Sequence, residues 1–160
     1  LSDIAPAPTP AVVDAVEPAP TPRAASLAQL VRQYSAGQPV DRELECLAAA
    51  TYFESKSEPL EGQLAVANVI LNRAESGRFA STACGVVYQR GQFSFVRGGS
   101  MPPIARNSND WHEAVAIAYI AKNDLWDGPA QNALFFHAKR VSPNWRMTRV
   151  AAVGNHIFYR

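Results

Sequence analysis

The chain has 160 residues, 48% hydrophobic and 18% charged, which is the composition of a globular domain and not of a disordered or fibrous one. Fifteen basic side chains against fourteen acidic ones leave a formal charge of +1, so no global signal for nucleic acid or another polyanion exists. No apolar run approaches the roughly 18 residues of a membrane span, and Cys46 and Cys84 are too few for a disulfide-stapled mini-fold or a cysteine-based zinc site.

The first 22 residues carry Pro6, Pro8, Pro10, Pro18, Pro20 and Pro22 among Ala, Val and Thr, with no aromatic. Such a run cannot propagate a helix or donate to a ladder, so residues 1–25 read as an extended linker or tether. No basic-then-apolar leader is visible, and the sequence leaves open whether an export signal preceded it. Residues 26–39 read as a short helix, capped by Ser26, and a connector containing Gly37 and Pro39. The compact domain is expected over 40–160.

Within it, a helix is expected at 42–54, with Leu44, Leu47, Thr51 and Glu54 on one stripe. A second is expected at 59–74, Pro59 suiting its first turn. Strand-like pieces follow at Val86–Tyr88 and Gln92–Phe95 in a glycine-rich stretch. A third helix is expected at 110–123, with Asp110 and Glu113 resembling a capping box. Two more strand-like runs, Ala133–His137 and His156–Tyr159, close the chain. The class is α+β, helix-dominant. Charges segregate: residues 76–109 and 128–160 contain bases and no acid, as a solvated patch or as a groove wall for an anionic polymer.

Glu54 stands out by position. A carboxylate on an inward stripe beside Tyr52 and Phe53 is costly unless paired or protonated, and desolvation raises its pKa. A carboxylic acid kept protonated is what general-acid cleavage of a glycosidic bond requires. The competing reading pairs Glu54 with Arg73 as a tie between two helices. Glu58 and Glu61 read as first-turn acids that compensate the dipole of the second helix.

The stretch Ala50-Thr51-Tyr52-Phe53-Glu54, then Glu58-Pro59-Leu60-Glu61-Gly62-Gln63 and Leu71-Asn72-Arg73, resembles the signature of the SleB/CwlJ-type cell wall hydrolases. The likeness continues through Cys84-Gly85-Val86-Val87-Tyr88, Gln92-Phe93-Ser94-Phe95, Ser142-Pro143-Asn144-Trp145 and Gly154-Asn155-His156-Ile157-Phe158-Tyr159, and so covers about residues 42–160. It implies a lysozyme-like fold in which one Glu at a helix end cleaves peptidoglycan glycan strands, and that Glu maps onto Glu54. The family commonly continues Ala-Arg-Gly where this chain has Ser55-Lys56-Ser57, and often carries Trp at Phe95.

The resemblance implies a lytic transglycosylase or a muramidase. Two-carboxylate hydrolysis needs a second acid across the cleft, and the stretch expected to form that wall has none, which favours the transglycosylase. Gln92, Ser94, Asn144 and Tyr159 are candidate hydrogen-bond partners for sugar, and Phe93 and Trp145 candidate stacking faces. No cofactor or metal is expected, because the three His show no ligand spacing. Three rivals stand beside this reading: a thiol enzyme using Cys46 or Cys84, a metallohydrolase using His112, His137 or His156, and a peptidoglycan-binding module without turnover. An enzyme of this kind works outside the cytoplasm, periplasmic or secreted, where two cysteines are expected to be oxidised. A Cys46–Cys84 bond would fix the helix of Glu54 against the segment leading to Gln92.

Overall fold

The computed structural model describes residues 26–35 and 39–160; the proline-rich segment expected as a tether lies outside the described residues. Among the described residues five helices and three strands follow in order: α1 Leu27–Tyr34, α2 Arg42–Ser55, α3 Leu60–Glu75, α4 Ala83–Tyr88, α5 Asn109–Lys122, β1 Phe135–Ala138, β2 Arg149–Val153 and β3 His156–Tyr159.

Helices α2, α3 and α5 form the body. Their facing surfaces are lined by Ala48, Ala50, Ala65, Ala67, Ala116 and Ala118, all fully buried. Small side chains let helix axes approach, and Leu47, Leu64, Ile70, Ile117 and Ile120 fill the remaining space. Buried Gln63 ties two of these helices: its Nε2 donates to Glu113 Oε1 at 2.7 Å and to the Glu58 carbonyl at 3.1 Å. Glu113 therefore does not cap its own helix. The cap of α5 is Ser108, whose hydroxyl accepts from Trp111 N at 3.1 Å, because the helix starts ahead of Asp110.

Ser26 caps α1 as expected, accepting from Gln29 N at 3.1 Å. Leu27, Leu30 and Val31 bury against the same core, and Tyr34 lies 4.8 Å from the Tyr119 ring of α5. The short segment set apart from the domain in the sequence thus packs on its body.

Val86–Tyr88, expected as a strand, belongs to helix α4. Short apolar runs fit either state, and the surroundings decide this one. Thr82 caps the helix, Glu43 Oε2 accepts from the Ala83 and Cys84 amides at 2.8 and 3.3 Å, and Cys84 is bonded to Cys46 with Cα atoms 5.1 Å apart. Cys84 therefore sits in a first helical turn, not at a strand start. The disulfide leaves neither cysteine free, which removes the thiol-enzyme reading.

Gln92–Phe95 is also not a strand. Gly91 has φ 78°, and two successive turns close with Gln92 N donating to Gln89 O and Val96 N to Phe93 O. The strands that do form make a small antiparallel sheet in the order β1-β3-β2. Strand β2 was not expected from its sequence; a bulge between Arg149 and Ala151 breaks the alternation that would have marked it. Fully buried Phe158 of β3 anchors the sheet to the helical core.

Candidate active site

Helix α2 ends where the sequence requires. Pro59 excludes a helical residue before it, and the last helical residue is Ser55. The Ser55 hydroxyl, sealed from solvent, donates back to the Thr51 carbonyl at 2.6 Å, and Thr51 does the same to Leu47 at 2.8 Å. Both buried hydroxyls are thereby satisfied inside the helix. Lys56 caps it, with its ammonium 4.8 Å from the Tyr52 ring centroid. Ser57 then takes φ 70°, at the position where the resembled family carries Gly. The departures from Ala-Arg-Gly are accommodated without moving Glu54 off the helix end.

Glu54 opens into a cleft of about 810 Å³, half-buried, facing the 91–96 loop and strands β1 and β3. An aromatic chain runs along it: Phe53 stacks on Phe95 at 5.0 Å, Phe95 meets Phe93 at 5.5 Å, and Phe93 meets Phe136 at 6.5 Å. These rings line the same cleft as the carboxyl, which is half-buried among them. Burial accordingly pushes the Glu54 pKa up, and the Arg73 guanidinium pulls it partly back. Of the residues lining the cleft, Glu54 is the one carboxylate.

Arg73 is not the partner that the helix-tie reading supposed. No ion pair within 4.0 Å joins it to Glu54. Its Nε donates to the Leu134 carbonyl at 2.7 Å and its Nη1 to Gln92 Oε1 at 3.3 Å, while Phe79, Phe93 and Phe135 surround the guanidinium. Arg73 fastens α3 to the residue ahead of β1 and to the cleft loop, and acts on Glu54 only through its field. Burial lowers its own pKa, with Glu54 opposing.

The other expected contact residues divide. Gln92, Phe93 and Ser94 line the cleft, although Phe93 is 5% exposed and serves the core as well. Tyr159 lies one residue behind it: its hydroxyl meets His137 Nε2 at 2.8 Å, and His137 lines the cleft. Trp145, 40% exposed, packs edge-on to His137 at 5.2 Å and to Tyr159 at 5.3 Å, so the Trp145 and Tyr159 rings form a platform beside the cleft and outside its lining. Asn144 is exposed and does not line the cleft.

Two cleft residues were undervalued in the sequence. His137 and His156 entered there as candidates only through the metallohydrolase rival, yet both line the cleft with Glu54. What joins them is tertiary: β1 and β3 pair so that His156 opposes Ala138 and His137 opposes Ile157, which sets the two His on adjacent strands at the same end. Glu58 is also more than a first-turn acid. Its carboxylate reaches the β2–β3 turn, where Oε2 accepts from Asn155 N at 3.3 Å and Oε1 lies 3.9 Å from His156 Nδ1. Among the described residues no three His, Cys, Asp or Glu converge as metal ligands.

The cell wall hydrolase family matches residues 57–159, beginning just after Glu54. The chain is 38% identical over 119 residues to a spore cortex-lytic enzyme of Oceanobacillus iheyensis, covering 72% of this chain and 41% of that protein. It thus spans about two fifths of the length of the curated relatives it matches. Two solved structures superpose on it: the catalytic domain of the germination-specific lytic transglycosylase SleB from Bacillus anthracis (29% identity, TM-score 0.61, 78% of this chain and all of that one), and that of Bacillus cereus SleB (29%, 0.56, 79% and 96%). The helix-dominant α+β fold is lysozyme-like, and the chain belongs to the cell wall hydrolase family.

Proposed function

We propose that this domain cleaves the glycan strand of bacterial peptidoglycan between muramic acid and glucosamine as a lytic transglycosylase, with Glu54 as its acid. One observation carries the reading: the cleft holds a single carboxyl group, unpaired, at a helix end, with its pKa raised by burial. The protonated carboxyl gives its proton to the leaving glycosidic oxygen. In the simplest course, the carboxylate left behind receives the proton of the muramyl 6-hydroxyl as that oxygen attacks the anomeric carbon, closing a 1,6-anhydro ring without water. A water-using mechanism calls for a second carboxylate roughly 5–9.5 Å away, and the cleft lining supplies none. The name of one solved relative, the lytic transglycosylase SleB of Bacillus anthracis, supports the same reaction.

The sugar chain is held by Gln92 and Ser94 at the loop and by the Trp145–Tyr159 platform, with Phe93 and Asn144 as weaker candidates. Arg73 orients Gln92. The acid–base steps written here call for no cofactor. The Cys46–Cys84 bond supports a site of action outside the cytoplasm, periplasmic or secreted. Glu54→Gln keeps the shape of the side chain and removes the proton. Incubated with purified sacculi, it should release less than about 1% of the wild-type soluble muropeptides, given the 10²–10⁴-fold worth of a general acid. Wild-type release by a folded Glu54→Gln protein would refute the assignment and leave a different catalytic group to be found.

A further inference from the structure

His156 is 6% exposed, and its Nδ1 is the one side-chain nitrogen or oxygen among the described residues that is sealed from solvent without a hydrogen-bond partner. That nitrogen faces Glu58 Oε1 at 3.9 Å. The ring lines the Glu54 cleft, so Nε2 is the nitrogen left with access to it. The other cleft imidazole is fully engaged: His137 Nδ1 donates to the Ala138 carbonyl and its Nε2 accepts from the Tyr159 hydroxyl, each at 2.8 Å.

From this arrangement we propose that His156 is a second catalytic residue, the base that takes the proton of the attacking muramyl 6-hydroxyl through Nε2, with Glu58 as its positioning residue. The inference rests on the glycan-cleaving reading and divides its two proton transfers between two groups. A carboxylate beside Nδ1 favours the tautomer protonated there, which leaves Nε2 with a lone pair directed at the cleft. As the hydroxyl oxygen bonds to the anomeric carbon, its proton passes to Nε2. The imidazolium formed is stabilised by Glu58, and the proton is then released to solvent. Glu54, having given its proton to the departing glucosamine oxygen, is reprotonated from solvent, so the cycle balances.

The surroundings suit a base. Burial lowers the His156 pKa, Glu58 opposes this, and His137 adds to the lowering, so the neutral ring is favoured. The Phe136 ring lies edge-on at 5.3 Å and Phe158 at 6.2 Å. The backbone also keeps room for Glu58. Gly154 has φ 54°, and a Cβ there would fall 2.5 Å from Glu58 Oε2.

The test compares wild type with His156→Asn on peptidoglycan glycan strands across pH, and measures glycan binding for each in the Glu54→Gln background. A general base is worth about 10²–10⁴-fold, so kcat should fall at least about 100-fold while glycan affinity stays within about threefold. The wild-type rate should also fall on the acid side as His156 protonates, and that limb should vanish in the variant. Glu58→Gln should shift the limb without abolishing cleavage. Wild-type kcat and an unchanged acid limb in His156→Asn overturn the base assignment alone; absence of cleavage by the wild type overturns the glycan-cleaving reading instead. Should the variant misfold, ring-nitrogen NMR of Glu54→Gln decides. An Nδ1-protonated His156 whose Nε2 signal moves on adding a muramyl-glucosaminyl tetrasaccharide supports the proposal, and an Nε2-protonated or unresponsive ring refutes it.

Discussion

Replacing Cys46 and Cys84 together by alanine removes a crosslink that closes 38 positions of chain. In the chain-entropy treatment a loop of that length costs the unfolded ensemble the equivalent of about 4 kcal/mol. For a domain of this size each kcal/mol moves the melting temperature by about 4 °C, so the loss should be about 15 °C. Alanine is the suitable replacement because both cysteines are buried, at 6% and 8% exposure, and a hydroxyl there would lack a partner. The native arrangement of α2 and α4 should survive at 25 °C, since Glu43 still accepts from the Ala83 and Cys84 amides. Cleavage of sacculi at 25 °C should therefore persist while thermal denaturation, followed by circular dichroism, moves down. Reductant should act slowly on the folded wild type, whose sulfurs are covered, and should reproduce the variant's melting curve after unfolding and refolding. A double variant that melts within about 3 °C of the oxidised wild type would refute the reasoning.

Glu54 has a raised pKa in the folded state, so the fold holds its proton more tightly than the unfolded chain does and stability falls as pH rises past the ordinary carboxylate range. Glu54→Gln should accordingly melt higher than wild type at pH 7, and the difference should close near pH 4; an equal or lower melting point at pH 7 contradicts a desolvated carboxyl. His156 has the opposite linkage. Its lowered pKa means that stability is lost as pH falls below about 6.5, where the unfolded chain gains the proton first, and His156→Asn should flatten that part of a pH-stability curve. Ser57 sits at φ 70°, which costs a non-glycine residue about 1 kcal/mol or more, against somewhat less for the extra unfolded freedom of glycine. Ser57→Gly should therefore raise stability by about 0.5 kcal/mol in urea titration, and a loss would show that this loop is not strained.

The elements legible in the sequence are those whose signal is local and repeated. The stripes of α2 and α3 placed both helices within a residue or two at each end, and Pro59 fixed where α2 must stop, which put Glu54 at a helix end before any coordinates. Val86 and Val87 misled because two adjacent β-branched residues suggest a strand, whereas the capping by Thr82, the carboxylate of Glu43 and the bond to Cys46 favour a helix. Only Thr82 is near them in sequence. The bulged β2 lacked the alternation that marks a strand. In the cleft, Glu54 was legible because an inward carboxylate breaks a local rule. His156 and Glu58 were not, since their meeting depends on the β2–β3 turn folding back over the start of α3, across 97 positions of chain. The fate of Arg73 was likewise tertiary: its guanidinium donates to the Leu134 carbonyl, just ahead of β1, and forms no ion pair with Glu54.

The central claim, that Glu54 drives ring closure by the sugar's own hydroxyl, is tested most directly by digesting purified sacculi in oxygen-18 water and analysing the muropeptide ends by mass spectrometry. Wild type should give 1,6-anhydromuramic ends that carry no label and resist borohydride, and Glu54→Gln should give almost none. Reducible muramic ends bearing one oxygen-18 would show that water attacks the anomeric carbon, and would contradict the account.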